Sequence, residues 1–161
     1  MSIEKVRSYL REMSLEDRIS EFEVSSATVE LAAIALGTEG ARIAKTISLH
    51  GKDGGCVLVV TAGDHKIDNG KFKARFGFKP RMLSPDEAIE FTGHAVGGVC
   101  PFALPDGVPV YLDISLKRFD EIYPAAGSSS SAVRLSCDEL FYASHAESWE
   151  DLCKIRETQN T

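Results

Sequence analysis

Arg42-Ile43-Ala44-Lys45-Thr46-Ile47-Ser48-Leu49-His50 alternates with period two, then passes through Gly51-Lys52-Asp53-Gly54-Gly55 into the apolar run Cys56-Val57-Leu58-Val59-Val60-Thr61. Two strand-like segments joined by a glycine-rich turn predict a β-hairpin. Side chains two apart on a strand share a face, so Ile43, Lys45, Ile47 and Leu49 point one way and Arg42, Thr46, Ser48 and His50 the other. Lys45 is the odd member of an otherwise apolar face. Burying an unpaired ammonium costs several kcal/mol. A lysine placed here therefore either snorkels its head to water or stands at the floor of a pocket that takes a polar or anionic group.

Reading outward from the hairpin, Ile3, Val6, Leu10 and Met13 recur at helical spacing and predict a helix over Ser2 to Met13. Ile19 to Val24 alternates like a strand. Thr28 is a natural cap for a helix from Val29 to Leu36, with Gly37 as its stop. Beyond the hairpin, a helix is expected from Asp68 to Phe76, ended by Gly77, and a short strand at Arg81-Met82-Leu83. Ser84-Pro85-Asp86-Glu87 and Ser136-Cys137-Asp138-Glu139 are capping boxes, which open helices to about Phe91 and through Ala143. Val108, Val110, Leu112 and Ile114 alternate as a strand, and Leu116 to Phe119 form a helical turn behind it. Short strands are expected around Ile122 and at Val133-Arg134-Leu135, and a final helix from Ser148 that frays by Glu157. No βαβ repeat appears. The expected class is α+β, with a largely antiparallel, barrel-like mixed sheet surrounded by short helices, forming one domain over residues 1–161.

The 161 residues are 43% hydrophobic and 26% charged, ordinary for a soluble globular chain. No run of about 18 apolar residues and no signal-peptide core is present, so a cytoplasmic protein without a membrane span is expected. Cys56, Cys100, Cys137 and Cys153 show no CxxC pair and no zinc spacing with the four histidines; free thiols and no metal are expected. The net charge of −6 disfavours autonomous nucleic-acid binding, and no DNA partner is expected. Yet residues 64–81 hold Lys66, Lys71, Lys73, Arg75, Lys79 and Arg81 against Asp64 and Asp68, a local +4 that leaves −10 for the rest. That stretch, with Lys71, Lys73 and Arg75 at its centre, is the candidate phosphate-contacting patch.

The second informative region is Thr92-Gly93-His94-Ala95-Val96-Gly97-Gly98-Val99-Cys100-Pro101-Phe102-Ala103-Leu104. Its glycines permit positive φ and close approach of a ligand to the amides. Successive N–H groups at Gly97, Gly98 and Val99 suit an anion nest or an oxyanion hole. The pattern matches neither a Walker A loop nor a dinucleotide fingerprint.

Taken together, Leu36-Gly37, Ala44-Lys45-Thr46, Thr92-Gly93, Gly97-Gly98, Pro101-Phe102, Asp113-Ile114-Ser115-Leu116 and Ala126-Gly127 resemble the YbaK/EbsC family over roughly residues 20–145. These proteins are stand-alone relatives of the editing domain inserted in bacterial prolyl-tRNA synthetase. The resemblance implies trans-editing: hydrolysis of the ester joining a wrong, small amino acid to tRNA, chiefly proline tRNA. It implies that Lys45 holds the substrate end and that the amides around Gly97 and Gly98 meet the scissile carbonyl. The terminal ribose hydroxyl and a water then replace a protein nucleophile, and no cofactor is needed. Thr28, Thr46, Val99, Cys100, Gly127 and Ser128 are the expected substrate-binding residues. Aminoacyl-tRNA is the expected substrate, and prolyl-tRNA synthetase the partner that would present it to an acidic chain.

The chain departs from the family pattern in three places. Ala103 stands where glycine often follows Pro-Phe. Gly127 is followed by Ser128 to Ser131 and Ala132, where cysteine-editing members carry Gly-Lys-Arg-Gly and an acidic residue. Thr28 replaces an aromatic residue. Two other readings stay open. One is a thiol hydrolase with Cys100 as nucleophile and His94 as base. The other is a non-catalytic module that binds tRNA or a synthetase.

Overall fold

The computed structural model describes residues 2–23 and 28–156. The hairpin forms as its alternation predicts: β2 (Ile43–His50) pairs antiparallel with β3 (Cys56–Ala62), from Ala44↔Ala62 to His50↔Cys56. It is the centre of a five-stranded mixed sheet in the order β6-β2-β3-β5-β8. β5 (Val110–Asp113) lies parallel to β3, β8 (Ser148–Glu150) parallel to β5, and the short β6 (Tyr123–Pro124) parallel to β2 at Ile43 and Ala44. Two small antiparallel sheets flank it: β1 (Ile19–Glu21) with β7 (Ser131–Val133), and β4 (His65–Ile67) with β9 (Cys153–Ile155). The fold is α+β as expected, with a mixed sheet that stays open and does not close into a barrel.

Both faces of the hairpin are covered, and β3 is buried along its whole length and apolar except at Thr61. Leu58, Val60 and Ala62 face a core shared with Val6 and Leu10 of α1 (Ser2–Arg11), Phe102 and Leu112. Val57 and Val59 face a second core with Ile47, Leu49, Leu152 and Phe72 of α3 (Asn69–Phe76). Burial of each such side chain contributes about 1.5–3 kcal/mol.

Short helices flank the sheet, and the caps of three of them, at Thr28, Ser84 and Ser136, are those read from the sequence. Thr28 Oγ1 accepts the Leu31 N–H at 3.2 Å and opens α2 (Val29–Leu36), which Gly37 ends at φ +68°. Asp68 caps α3, and the Ser84 and Ser136 capping boxes open α4 (Pro85–Thr92) and α5 (Cys137–Ser144). An isolated eight-residue helix is marginal in water, so caps and packing together decide that these form.

The tail departs from expectation. Ser148 onward forms the strands β8 and β9 and no helix. Leu152 and Cys153 are buried, the Leu152 N–H is taken by Asp113 Oδ1 at 2.8 Å, and Trp149 stacks on Phe141 at 6.2 Å. Pairing with β5 and β4 outweighs the weak helical preference of a short polar segment. Smaller differences have equally local causes. Ile114 leaves the strand because Asp113 Oδ2 accepts the Ser115 N–H at 3.0 Å and caps a 3-10 turn over Ile114–Arg118. The first helix stops at Arg11, and Ser14 takes a positive φ. The first strand ends at Glu21; Val24 lies outside the described residues. The strands expected at Arg81-Met82-Leu83 and Val133-Arg134-Leu135 reduce to single bridges, Leu49↔Met82 and Ile122↔Leu135, beside β7. No helix among the described residues is long and apolar enough to cross a membrane.

The end of the hairpin docks on the α2–β2 connection by backbone contact. A Cβ built at Gly63 would lie 2.1 Å from the Gly40 carbonyl oxygen and 2.8 Å from Val29 Cγ1. Gly63→Ala is therefore expected to destabilise by about 3 kcal/mol or more, since backbone has to move to relieve the overlap. Gly55→Ala, in open space and at negative φ, is expected to stay within about 0.5 kcal/mol. Denaturant midpoints of the two variants check the contrast.

Candidate functional site

The outer edge of β2 is covered in two places and bare between them. β6 pairs with Ile43 and Ala44. At the other end the His50 N–H donates to the Arg81 carbonyl at 2.8 Å, and the Leu83 N–H to the Ser48 carbonyl at 3.0 Å. Residues 45–47 are left without a neighbouring strand on that side. A cleft of about 410 Å3 opens there, within the range of small-molecule sites. Its apolar walls include Ile43, Ile47, Ala32, Ala88 and Tyr123, and its polar members include Lys45, Thr46, Glu30 and Arg156.

Lys45 is exposed into this cleft while Ile43, Ile47 and Leu49 on the same face are buried. Among the described residues no hydrogen bond or ion pair holds its ammonium. Glu30 lies within its field, but that carboxylate pairs with Arg156 at 2.9 Å. A hydrogen bond from its own backbone amide, followed by the Arg156 and Lys45 charges, keeps the Glu30 carboxyl below its ordinary range. Thr46 contributes a different signal. Its Oγ1 is buried without a partner among the described residues, and leaving such a hydroxyl unsatisfied costs about 1–3 kcal/mol. Neither Glu30 nor Arg156 stood out in the sequence. The acid looked like an ordinary first-turn helix residue, and Arg156 lay in the tail read as fraying helix.

The glycine loop reaches the cleft through Gly97 and Val99. Gly97 has φ +91° inside a turn closed by the Gly98 N–H donating to the Ala95 carbonyl at 2.9 Å. This corrects the expectation for Gly98: its amide is spent inside the loop. Among the described residues no acceptor meets the Gly97 and Val99 amides. Gly98 is glycine for a packing reason, since its Cβ would lie 2.8 Å from the Gly127 carbonyl and the Ser128 Cα. Gly127 in turn has φ +96°, and its Cβ would lie 2.8 Å from the Ser2 carbonyl oxygen. Gly127 and Ser128 therefore back the loop and do not line the cleft; the Ser128 hydroxyl donates to Ser131 Oγ at 2.8 Å. Thr28 does line the cleft, beside the helix it caps.

Cys100 is likewise not a wall residue. It is fully buried, with Sγ 3.6 Å from His94 Nε2. The two partners of the thiol-hydrolase reading are thus adjacent, but inside the core. Burial pushes the Cys100 thiol up to about 12 and lowers the His94 imidazole from its ordinary value. His94 Nε2 lies 2.8 Å from the Phe102 carbonyl, an acceptor, so Nε2 carries the proton and Nδ1 accepts from the Ser2 hydroxyl. The histidine pins the glycine loop to the start of α1. Ala103, where the family pattern has glycine, has φ +53°, the backbone region in which glycine is at ease. Asp113 and Ser115 are also buried and structural: Ser115 Oγ accepts the Ala62 N–H at 3.2 Å.

The basic stretch is more neutral than its composition suggests. Lys71 pairs with Asp151 at 2.9 Å and donates to the Cys153 carbonyl, and Arg75 pairs with Glu150 at 3.0 Å. Two of the three cations at the centre of the expected phosphate patch are thereby neutralised by the tail. Among the described residues no group of three His, Cys, Asp or Glu side chains could hold a metal ion.

Comparison with known proteins bears on the same segment of chain. The model of the aminoacyl-tRNA editing domain matches residues 23–142. YwhH of Bacillus subtilis, an uncharacterized protein, is 50% identical over 154 residues, spanning 96% of this chain and 98% of its own. EbsC of Enterococcus faecalis, described as a candidate Cys-tRNA(Pro)/Cys-tRNA(Cys) deacylase, is 29% identical over 114 residues, 70% of each chain. A crystal structure of a candidate trans-editing enzyme for prolyl-tRNA synthetase superposes with a TM-score of 0.86 at 30% identity, covering 95% of this chain and 97% of that one.

The thiol of Cys100 is expected to stay protonated and unreactive. Iodoacetamide at about pH 9 should leave it unmodified in the folded protein and label it after denaturation, as peptide mass spectrometry will show. Cys100→Ser should keep the chemistry of the cleft; a thousandfold loss, about 4 kcal/mol of barrier, would make the thiol a nucleophile after all.

Proposed function

The chain belongs to the aminoacyl-tRNA editing domain family, and from that premise we propose that it deacylates mischarged tRNA, releasing a small amino acid from the 3′-terminal ribose. The observation that carries this reading is the placement of Lys45, whose ammonium has no ion-pair partner among the described residues, in the same cleft as Gly97 and Val99. An ester is already activated toward water, so positioning and carbonyl polarisation suffice without a protein nucleophile.

In the proposed reaction a water oxygen adds to the ester carbonyl carbon, guided by the neighbouring 2′-hydroxyl of the terminal ribose. The Gly97 and Val99 N–H groups meet the oxyanion that develops. One such donor is worth roughly 3 kcal/mol. The bond to the ribose oxygen then breaks, that oxygen takes a proton, and the free amino acid and the tRNA leave. Lys45 holds the anionic end of the substrate as a point charge. Ala32, Ala44, Ala88 and Ala132 bring small apolar side chains to the cleft, which suits a small, uncharged aminoacyl group. Proline tRNA as the carrier is supported by what EbsC and the solved trans-editing relative are described as acting with. The departures at Thr28 and the serine run leave alanyl and seryl esters as candidates beside cysteinyl.

Incubation with a panel of alanyl-, seryl-, cysteinyl- and prolyl-tRNA(Pro) tests the proposal. Release of at least one amino acid well above the spontaneous rate is expected. A chain that binds the panel but hydrolyses none of it would be a binding module. Lys45→Ala should lose a hundredfold or more of that rate, about 3 kcal/mol, with an unchanged Tm, because the side chain is exposed and makes no ion pair. Near-wild-type turnover would mean that the lysine merely snorkels.

Thr46→Val separates a ligand-binding hydroxyl from a packing one. The isosteric change removes a buried donor that has no protein partner, so stability should hold or rise, while deacylation should fall about tenfold if the hydroxyl bonds the substrate. Thr46→Ser should restore the rate. Equal rates in all three proteins would assign Thr46 to packing alone.

A further inference from the structure

β4 and β9 form a two-stranded ribbon whose register sets Lys66 directly opposite Lys154. Facing side chains of an antiparallel pair are about 5 Å apart at Cβ, and like charges there work against the pairing. Both lysines are exposed, and among the described residues neither has a carboxylate in ion-pair range. Asp68, which lies within the field of Lys154, is engaged in capping α3 through the Lys71 N–H at 3.0 Å. Two residues beyond Lys154, on the same face by alternation, stands Arg156. Its backbone is fixed by an N–H bond to the Asp64 carbonyl at 2.7 Å, and its guanidinium lines the cleft that holds Lys45. A row of cations, Lys66 with Lys154, then Arg156, then Lys45, thus runs off the ribbon and into the site. Lys154 and Arg156 fall outside the segment that matches the family model.

We infer that the β4–β9 ribbon is the surface on which the phosphate backbone of the tRNA acceptor arm lies, an assignment that rests on the deacylase reading. A pair of facing, unneutralised lysines gains most from a ligand that carries closely spaced negative charge. Continuity with the cleft through Arg156 means that a strand whose 3′ end is seated at Lys45 leaves across the ribbon. Arg156 is paired with a carboxylate, Glu30, through one contact at 2.9 Å, and a phosphate can take that carboxylate's place on its fork. Lysines bind phosphates as point charges and read no sequence, so the ribbon positions the substrate while the cleft selects the amino acid. The helix α3 is the weaker candidate because Asp151 and Glu150 occupy Lys71 and Arg75, whereas Lys66 and Lys154 have no such carboxylate among the described residues.

The test is binding of uncharged tRNA(Pro), read by fluorescence anisotropy as a function of salt, alongside turnover. Lys66→Glu with Lys154→Glu should weaken binding at least tenfold at about 0.1 M salt and reduce the slope of log affinity against log salt by about two. Lys52→Glu, in the hairpin turn seven residues along from Lys45 and on the order of 23 Å away, should change neither. Turnover of a 3′-aminoacyl adenosine, which has no phosphates, should match wild type in every variant. Lys66→Glu alone guards against misfolding: it sets opposite charges face to face, so its thermal midpoint should hold or rise while tRNA binding falls. Unchanged affinity and slope in the double variant, no measurable tRNA binding by the wild type, or an equal loss on the aminoacyl adenosine would each overturn the assignment. Because binding of uncharged tRNA needs no hydrolysis, a wild type that binds but deacylates nothing sinks the deacylase reading separately.

Discussion

The antiparallel pairing of β2 with β3 decides where every chemically useful group of this molecule stands. Period-two geometry sends Ile43, Lys45, Ile47 and Leu49 to one face, and the register from Ala44↔Ala62 to His50↔Cys56 fixes them against β3. A slip of one residue would send Lys45 and Ile47 together to the opposite face, where Ala44 now meets the core. The inner edge of β2 is therefore fully used, while the outer edge is closed by β6 at one end and by residues 81–83 at the other. The gap between those two closures is the candidate site. A strand that is paired along one side and bare over three residues on the other offers a ligand a rigid floor, which a loop alone could not supply.

The opposite wall depends on backbone meeting backbone. The segments around Gly98, Gly127 and Ser2 approach to distances at which any Cβ would collide. Glycine there serves packing density, and the donors left for a substrate are the flanking amides of Gly97 and Val99. His94 stabilises the same junction by bridging the Phe102 carbonyl and the Ser2 hydroxyl. Burial that keeps this imidazole neutral also keeps the neighbouring thiol protonated, so the pair holds the loop in place and carries no nucleophile.

Features that one segment decides by itself were legible in the sequence. Lys45 was visible because alternation is local, and the caps at Thr28, Ser84 and Ser136 were visible because each acts within three residues. What escaped depended on partners far along the chain. β8 and β9 are three residues each and exist because β5 and β4 are there to pair with them. Lys71 and Arg75 looked free until Asp151 and Glu150, some 75–80 residues later, came to meet them. The glycine loop was singled out as a candidate, but its turn hydrogen bond could not be foreseen, and that bond is what moves the proposed donor role from Gly98 to its neighbours. Arg156 was lost for the same reason as β9, which carries it to the cleft.

The tail reorganises the electrostatics of the molecule in one stroke. By adding β8 and β9 it brings Glu150 and Asp151 onto α3, which neutralises two surface cations, and it brings Lys154 and Arg156 beside Lys66 and the cleft, which creates a new positive row. The net charge of the chain is unaffected by this exchange. Its distribution is not, and within a Debye length of about 10 Å at 0.1 M salt the distribution is what a polyanion senses. An acidic protein arranged this way repels nucleic acid over most of its surface and tolerates it along one strip that ends at the site. Such a surface favours orientation over affinity, which suits the proposed deacylase, whose turnover would require release of each tRNA once its ester is gone.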